Sequence, residues 1–179
     1  ACSWSRGLGD VYKRQSLRCS MPLEVGQIIP KGSLTIMGPK GPQVISTEEI
    51  FSEKSVVLLA VPGAFTPTCA VTHLPGFVTK LDEFTTKGID TVACLAVNDI
   101  FVIDAWSKAS NAEHILMLSD GNAEYTHALD MVLDVSGFGM GLRSQRYAMV
   151  VDNHEIKYIG VDPEGVEKSS ADAVLAFLK

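Results

Sequence analysis

The stretch that decides the fold runs VVLLAVPGAFTPTC, residues 56–69. Its first half, Val56 to Val61, is a continuous apolar run bounded by turn residues, the pattern of a strand buried on both faces. Pro62 and Gly63 end the run. Thr66 and Pro67 then offer a cap and a first helical turn, where the N–H that proline lacks has no partner to lose. A buried strand that turns tightly into a helix belongs to an α/β chain.

Outward from this stretch the alternation continues. Residues 22–47 carry Gly26, Pro30, Gly32, Gly38, Pro39, Gly41 and Pro42 between short apolar runs, which suits loops and a hairpin. Ser46 or Thr47 ahead of Glu48 and Glu49 can cap a short helical turn. On the C-terminal side, Thr91–Val97 and Ile115–Leu118 read as strands, and Phe101–Ala109 and Glu124–Leu133 as helices. Tyr147–Val151 and Ile156–Val161 read as two strands joined by a polar turn at 152–154. Ser169 and Ser170 cap a last helix with Ala173, Val174 and Phe177 on its apolar face. The expected architecture is α/β, a central mixed β-sheet flanked by helices in a single domain.

Composition narrows the function classes. The chain has 179 residues, 46% hydrophobic and 20% charged, with a net charge of −6. That length suits one domain, and the negative balance argues against nucleic acid or an anionic membrane as partner, because both need a positive surface. No run approaches the roughly 18–20 apolar residues of a membrane span. Residues 1–20 differ from the rest: they hold four of the 15 basic residues (Arg6, Lys13, Arg14, Arg18) against one acid, Asp10. They read as a targeting segment or as non-native sequence ahead of Met21, with GLGDVYKRQ resembling translated adapter. The expected domain is therefore 21–179. A cytoplasmic location follows, with mitochondrion or plastid as the alternative if residues 1–20 are a genuine transit peptide.

The four cysteines, Cys2, Cys19, Cys69 and Cys94, form no CxxC pair, so a disulfide framework is not expected and a reducing compartment is. Cys69 sits where the strand gives way to the helix. There, unpaired backbone N–H groups and roughly half an elementary charge of helix dipole favour a thiolate, the species that attacks. Thr66 stands close enough in sequence to cap the helix and turn its hydroxyl toward the sulfur, and Pro62 and Phe65 shield it. Position alone leaves an inert buried cysteine equally open.

The local string separates the two. Pro62-x-x-x-Thr66-x-x-Cys69, followed by THLPGF (72–77), CLAVND (94–99), the aromatic stretch around Trp106, YTHAL (125–129) and RSQRYAMVV (143–151), resembles the type II peroxiredoxins. The resemblance spans nearly all residues from Val25 onward and implies the thioredoxin-like fold. It implies a thiol-dependent peroxidase that reduces hydrogen peroxide and alkyl hydroperoxides through a Cys69 sulfenic acid. Thr66 then bonds sulfur and peroxide, Pro62 shields, and Arg146 supplies a fixed charge beside the thiolate. Arg143 reads as a surface arginine. A homodimer is also implied, with 62–65 and the Trp106 region near the contact.

Some family members carry a resolving cysteine in the stretch aligned with Pro163–Ala171, where this chain has Ser169 and Ser170. Cys94 is the remaining candidate resolving residue, yet its apolar run suits a buried, inert thiol, and a bridge to Cys69 needs Cα atoms within about 7 Å. A one-cysteine cycle with an external thiol, glutaredoxin and glutathione or thioredoxin, is expected. No cofactor is implied, for GxGxxG and P-loop motifs are missing. Cys69 and His73 are four apart, but no CxxC or HxxxH supports a metal, so His73 is expected to pack near the site or at a subunit contact. Trp106 and Phe101 suit the core. Two rival functions stay open: a thiol–disulfide exchanger, weakened by the missing CxxC, and a non-catalytic module on the same fold.

Overall fold

The computed structural model describes residues 23–179; the expectations for residues 1–20 and for Met21 as the start lie outside the described residues. From the N-terminal side the elements are β1 (Ser33–Gly38), β2 (Gly41–Ser46), α1 (Thr47–Phe51), β3 (Ser55–Val61), a π-helical turn (Cys69–His73), α2 (Leu74–Thr79) and α3 (Leu81–Thr86). Then follow β4 (Thr91–Ala96), α4 (Ile100–Ala109), β5 (Leu116–Ser119), α5 (Glu124–Ala128), β6 (Val132–Asp134), a 3-10 turn (Ser136–Phe138), β7 (Leu142–Ser144), β8 (Tyr147–Asp152), β9 (Glu155–Val161) and α6 (Ala171–Phe177).

Seven strands form one mixed sheet in the order β2-β1-β5-β4-β3-β8-β9, and β6 and β7 pair separately. The apolar run expected at 56–61 is β3, near the middle of the sheet, parallel to β4 and antiparallel to β8. Because side chains alternate along a strand, β3 feeds two cores. Val57, Leu59 and Val61 face a cluster with Cys69, Phe77, Cys94 and Trp106. Val56, Leu58 and Ala60 face Phe51, Tyr125 and Tyr147 on the other side. Each fully buried aliphatic side chain there stabilises the fold by roughly 1.5–3 kcal/mol. The sheet is covered on both faces, which is the expected mixed α/β sandwich.

Local signals held where they were strong. The hairpin expected in 22–47 is β1–β2. Ser46 caps α1 and Glu49 answers it: the Ser46 Oγ accepts from the Glu49 N–H at 3.2 Å, and the Glu49 Oε2 accepts from the Ser46 N–H at 2.9 Å. Two helices need correction. The helix expected over 124–133 stops at Ala128, because Asp130 turns to φ +55 and the chain leaves to form β6, which pairs with β7 ten residues on. In α6 the buried face is Ala171, Val174 and Leu175, whereas Phe177 is 45% exposed and lies over the Tyr158 ring at 5.2 Å.

Candidate active site

β3, β4 and β5 are parallel, and the loops leaving the C-terminal ends of β3 and β4 meet, the place where open α/β sheets gather ligands. The Ala64 N–H donates to the Asn98 Oδ1 at 2.9 Å, and the Ser119 hydroxyl donates to the Asn98 carbonyl at 2.7 Å. Within the 62–68 loop the Thr66 hydroxyl donates to the Gly63 carbonyl at 2.8 Å. Its oxygen keeps lone pairs to accept with. Phe65 stands at φ +59, a conformation that bulky residues rarely take.

Helical structure begins at Pro67. Thr66 serves its start through the backbone, its carbonyl accepting the Ala70 N–H at 2.9 Å, rather than through the side-chain cap expected from sequence. Cys69 is fully buried and opens the π-helical turn, whose last bond runs from the Leu74 N–H to the Cys69 carbonyl. Such turns are rare and frequent at functional sites. The widened turn keeps Cys69 and His73 on one buried face.

His73 is the residue that ties the helix to the sheet. Its Nε2–H donates to the Ser169 carbonyl at 2.9 Å, and its Nδ1 accepts from the Arg146 Nη1 at 3.3 Å. A carbonyl only accepts and a guanidinium only donates, so the ring is the neutral Nε2–H form. Burial, foremost, lowers its pKa from 6.5 to about 4; the Ser169 bond pulls upward, and the Arg146 charge pushes further down. Arg146 reaches this position because it stands one residue before the Ala60–Tyr147 pair, at the end of β3 from which the cysteine loop departs. It is 9% exposed and, like Arg143, has no carboxylate within 4 Å among the described residues.

A cavity of about 370 Å³ opens above, lined by Pro62, Thr68, Arg146, Pro163 and Glu164 among others. A larger one, about 550 Å³, lies between α3, α4 and the start of β4 and includes none of these residues. The smaller cavity is the candidate site, because it holds the anchored guanidinium.

The redoxin family profile matches residues 24–175. Peroxiredoxin-2D of Arabidopsis thaliana is 40% identical over 160 residues, which cover 88% of this chain and 99% of that protein. The chain belongs to the peroxiredoxins. Peroxiredoxin-2E, chloroplastic, of the same plant is 40% identical over 162 residues, 87% of this chain and 69% of its own length. A crystal structure of reduced Prx3 from Vibrio vulnificus in complex with hydrogen peroxide has a TM-score of 0.85 at 46% identity, covering 88% of this chain and 99% of that one. The thioredoxin-like fold and a thiol-dependent peroxidase activity of antioxidant type come with that membership.

In this peroxiredoxin, Pro62 and Arg146 line one cavity, while Cys69 is fully buried and neither it nor Thr66 is part of that lining. Cys94 is buried in β4 opposite Leu59 and Met117, on the same sheet face as Cys69. Burial pushes the Cys94 thiol up, and nearby Cys69 adds to it, so no thiolate forms there at neutral pH. Two expectations are corrected. Arg143 is no plain surface arginine: it is half-buried, its Nε donates to the Met140 carbonyl at 2.9 Å, and its guanidinium covers Gly63. Trp106 is fully buried, as expected of a core residue, whereas Phe101, also expected in the core, is 66% exposed. The sequence marks His73 only as packing near the site or at a subunit contact and Ser169 only as a helix cap, and it does not single out Asp162. The Asp-Pro-Glu-Gly run at 162–165 signals only a turn.

Proposed function

We propose that this peroxiredoxin reduces hydrogen peroxide and small alkyl hydroperoxides at Cys69 in a one-cysteine cycle, using an external thiol. The Cys69 thiolate attacks one peroxide oxygen in line with the O–O bond. A sulfur–oxygen bond forms and the O–O bond breaks; the departing alkoxide or hydroxide takes a proton and leaves as alcohol or water. Cys69 becomes a sulfenic acid, the first reversible step of thiol oxidation. Arg146 and backbone N–H groups stabilise the charge that moves onto oxygen. Thr66, its own proton held by the Gly63 carbonyl, accepts the peroxide O–H, and Pro62 keeps bulk water away. One thiol then condenses with the sulfenic acid, releasing water, and a second releases Cys69 from the mixed disulfide.

The observation that carries this reading is a guanidinium with no carboxylate partner among the described residues, anchored at 3.3 Å to the side chain one turn beyond a buried cysteine. Glutathione with glutaredoxin, or thioredoxin, is the proposed reductant, since the other buried cysteine is held protonated. Phe65, Phe101, Phe138 and Leu142 are 54, 66, 85 and 43% exposed, and such uncovered apolar side chains support a homodimer. Its location is proposed to be cytoplasmic, or mitochondrial or plastidial if residues 1–20 are a genuine transit peptide, and fractionation distinguishes these.

The test is peroxide consumption with each reductant, for the wild type and Cys69→Ser. Turnover by the wild type and none by the variant is expected. Equal rates in the two would hand the fold to a non-catalytic role. After sub-stoichiometric peroxide, sulfenic acid trapped on Cys69 alone supports the one-cysteine cycle, and a 69–94 disulfide overturns it.

A further inference from the structure

Asp162 follows β9 and is 6% exposed. Its carboxylate accepts four hydrogen bonds: from the backbone N–H groups of Glu167 at 2.8 Å, Lys168 at 3.1 Å and Ser169 at 2.8 Å, and from the Ser169 hydroxyl at 2.8 Å. Burial by itself would raise the carboxyl pKa, but these donors hold it at about 2. The loop so closed is pressed onto β9. The Tyr158 hydroxyl donates to the Lys168 carbonyl at 2.6 Å, and Gly160 leaves room where that carbonyl packs; any Cβ there would collide with it.

The consequence reaches Arg146 by two routes. The Asp162 N–H donates to the Arg146 carbonyl at 3.0 Å, fixing the backbone. The loop also delivers the Ser169 carbonyl to His73 Nε2, and the opposite ring nitrogen receives the Arg146 guanidinium. Among the described residues this imidazole is the guanidinium's sole hydrogen-bond partner. An arginine side chain has several rotatable bonds, and an acceptor is needed to hold its direction. A carboxylate in contact would orient it but neutralise its charge. A neutral imidazole orients it and leaves the charge for oxygen.

We propose that Asp162 is a positioning residue for peroxide reduction, fixing Arg146 through the Ser169 carbonyl and His73 as well as through the backbone. This rests on the peroxidase reading of Cys69. Asp162 lines the same cavity as Arg146, and its negative charge is taken up by four donors of its own loop.

The experiment measures the second-order rate constant for Cys69 oxidation by hydrogen peroxide in the wild type, Asp162→Asn, Arg146→Lys and the double variant. Alkylation of Cys69 by iodoacetamide is measured beside it, with circular dichroism as a check on folding. Asp162→Asn is expected to lower the peroxide constant about tenfold, while alkylation changes less than about threefold. In the Arg146→Lys background it is expected to add less than about twofold, since both changes disable one group. A wild-type peroxide constant in Asp162→Asn overturns the proposal. So does a loss that multiplies fully with that of Arg146→Lys, or alkylation that accelerates, the mark of a merely loosened fold. If Asp162→Asn does not fold, Ser169→Ala removes one donor and is expected to slow oxidation about threefold by the same criteria. A wild type inert to peroxide would instead remove the peroxidase reading itself.

Discussion

Acidification from pH 7.5 to 4.5 should destabilise this peroxiredoxin through His73, and the size of the effect follows from its surroundings. The ring is buried, and its pKa falls from 6.5 to about 4. Above pH 6.5 it is neutral in both folded and unfolded chains and contributes no pH dependence. Below 6.5 the unfolded chain takes up a proton that the folded one refuses, so stability is lost as pH falls toward 4. At about 1.4 kcal/mol per tenfold change in proton affinity, the loss approaches 2.5 kcal/mol by pH 4.5. Protonation would also place a hydrogen on Nδ1, facing Arg146. The assay is urea unfolding at the two pH values, for the wild type and for His73→Gln, whose amide can both donate to Ser169 and accept from Arg146. With an m-value of roughly 2 kcal/mol per molar urea, the wild-type midpoint should drop about 1 M more than that of the variant. Asp162, held at about 2, loses its contribution only as pH falls from 3.8 toward 2, below this window. Parallel midpoint shifts in the two proteins would refute the argument.

Arg146→Lys keeps a charge but loses the planar fork that His73 holds, and its kcat/KM for hydrogen peroxide should fall about 10–100-fold, read by stopped-flow oxidation of Cys69. Cys94→Ser should retain peroxide reduction within about twofold, since a protonated thiol takes no part; its urea stability should fall by roughly 1–3 kcal/mol, because the hydroxyl enters an apolar cluster. Ser46→Ala removes the capping box of α1 at a distance from the site, which should cost about 1 kcal/mol in unfolding experiments and leave the peroxide rate unchanged.

Elements with strong local signals were legible in the sequence, and those made by distant pairing were not. Val56–Val61 and the Ser46 cap announce themselves through an unbroken apolar run and a Ser-x-x-Glu spacing. β6 and β7 are three residues each and are strands only because they meet each other, which no local pattern encodes. The same division runs through the site. Cys69 and its Pro-Gly-rich approach stand in one contiguous string, and the resemblance supplied Arg146. His73 takes its meaning from bonds to Ser169 and Arg146, 96 and 73 residues away along the chain, so its type reveals nothing until the loop has folded back. Phe101 and Trp106 share a helix and both suit the core by type, but they are five positions apart, about 500° around the axis, so they point in different directions.

The burial of Trp106 in the same apolar cluster as Cys69 gives the molecule an optical reporter. In a Trp4→Phe background its emission comes from indole sealed away from solvent. Changes in the packing of that cluster during the cycle can then be read as light from one side chain, without a dye.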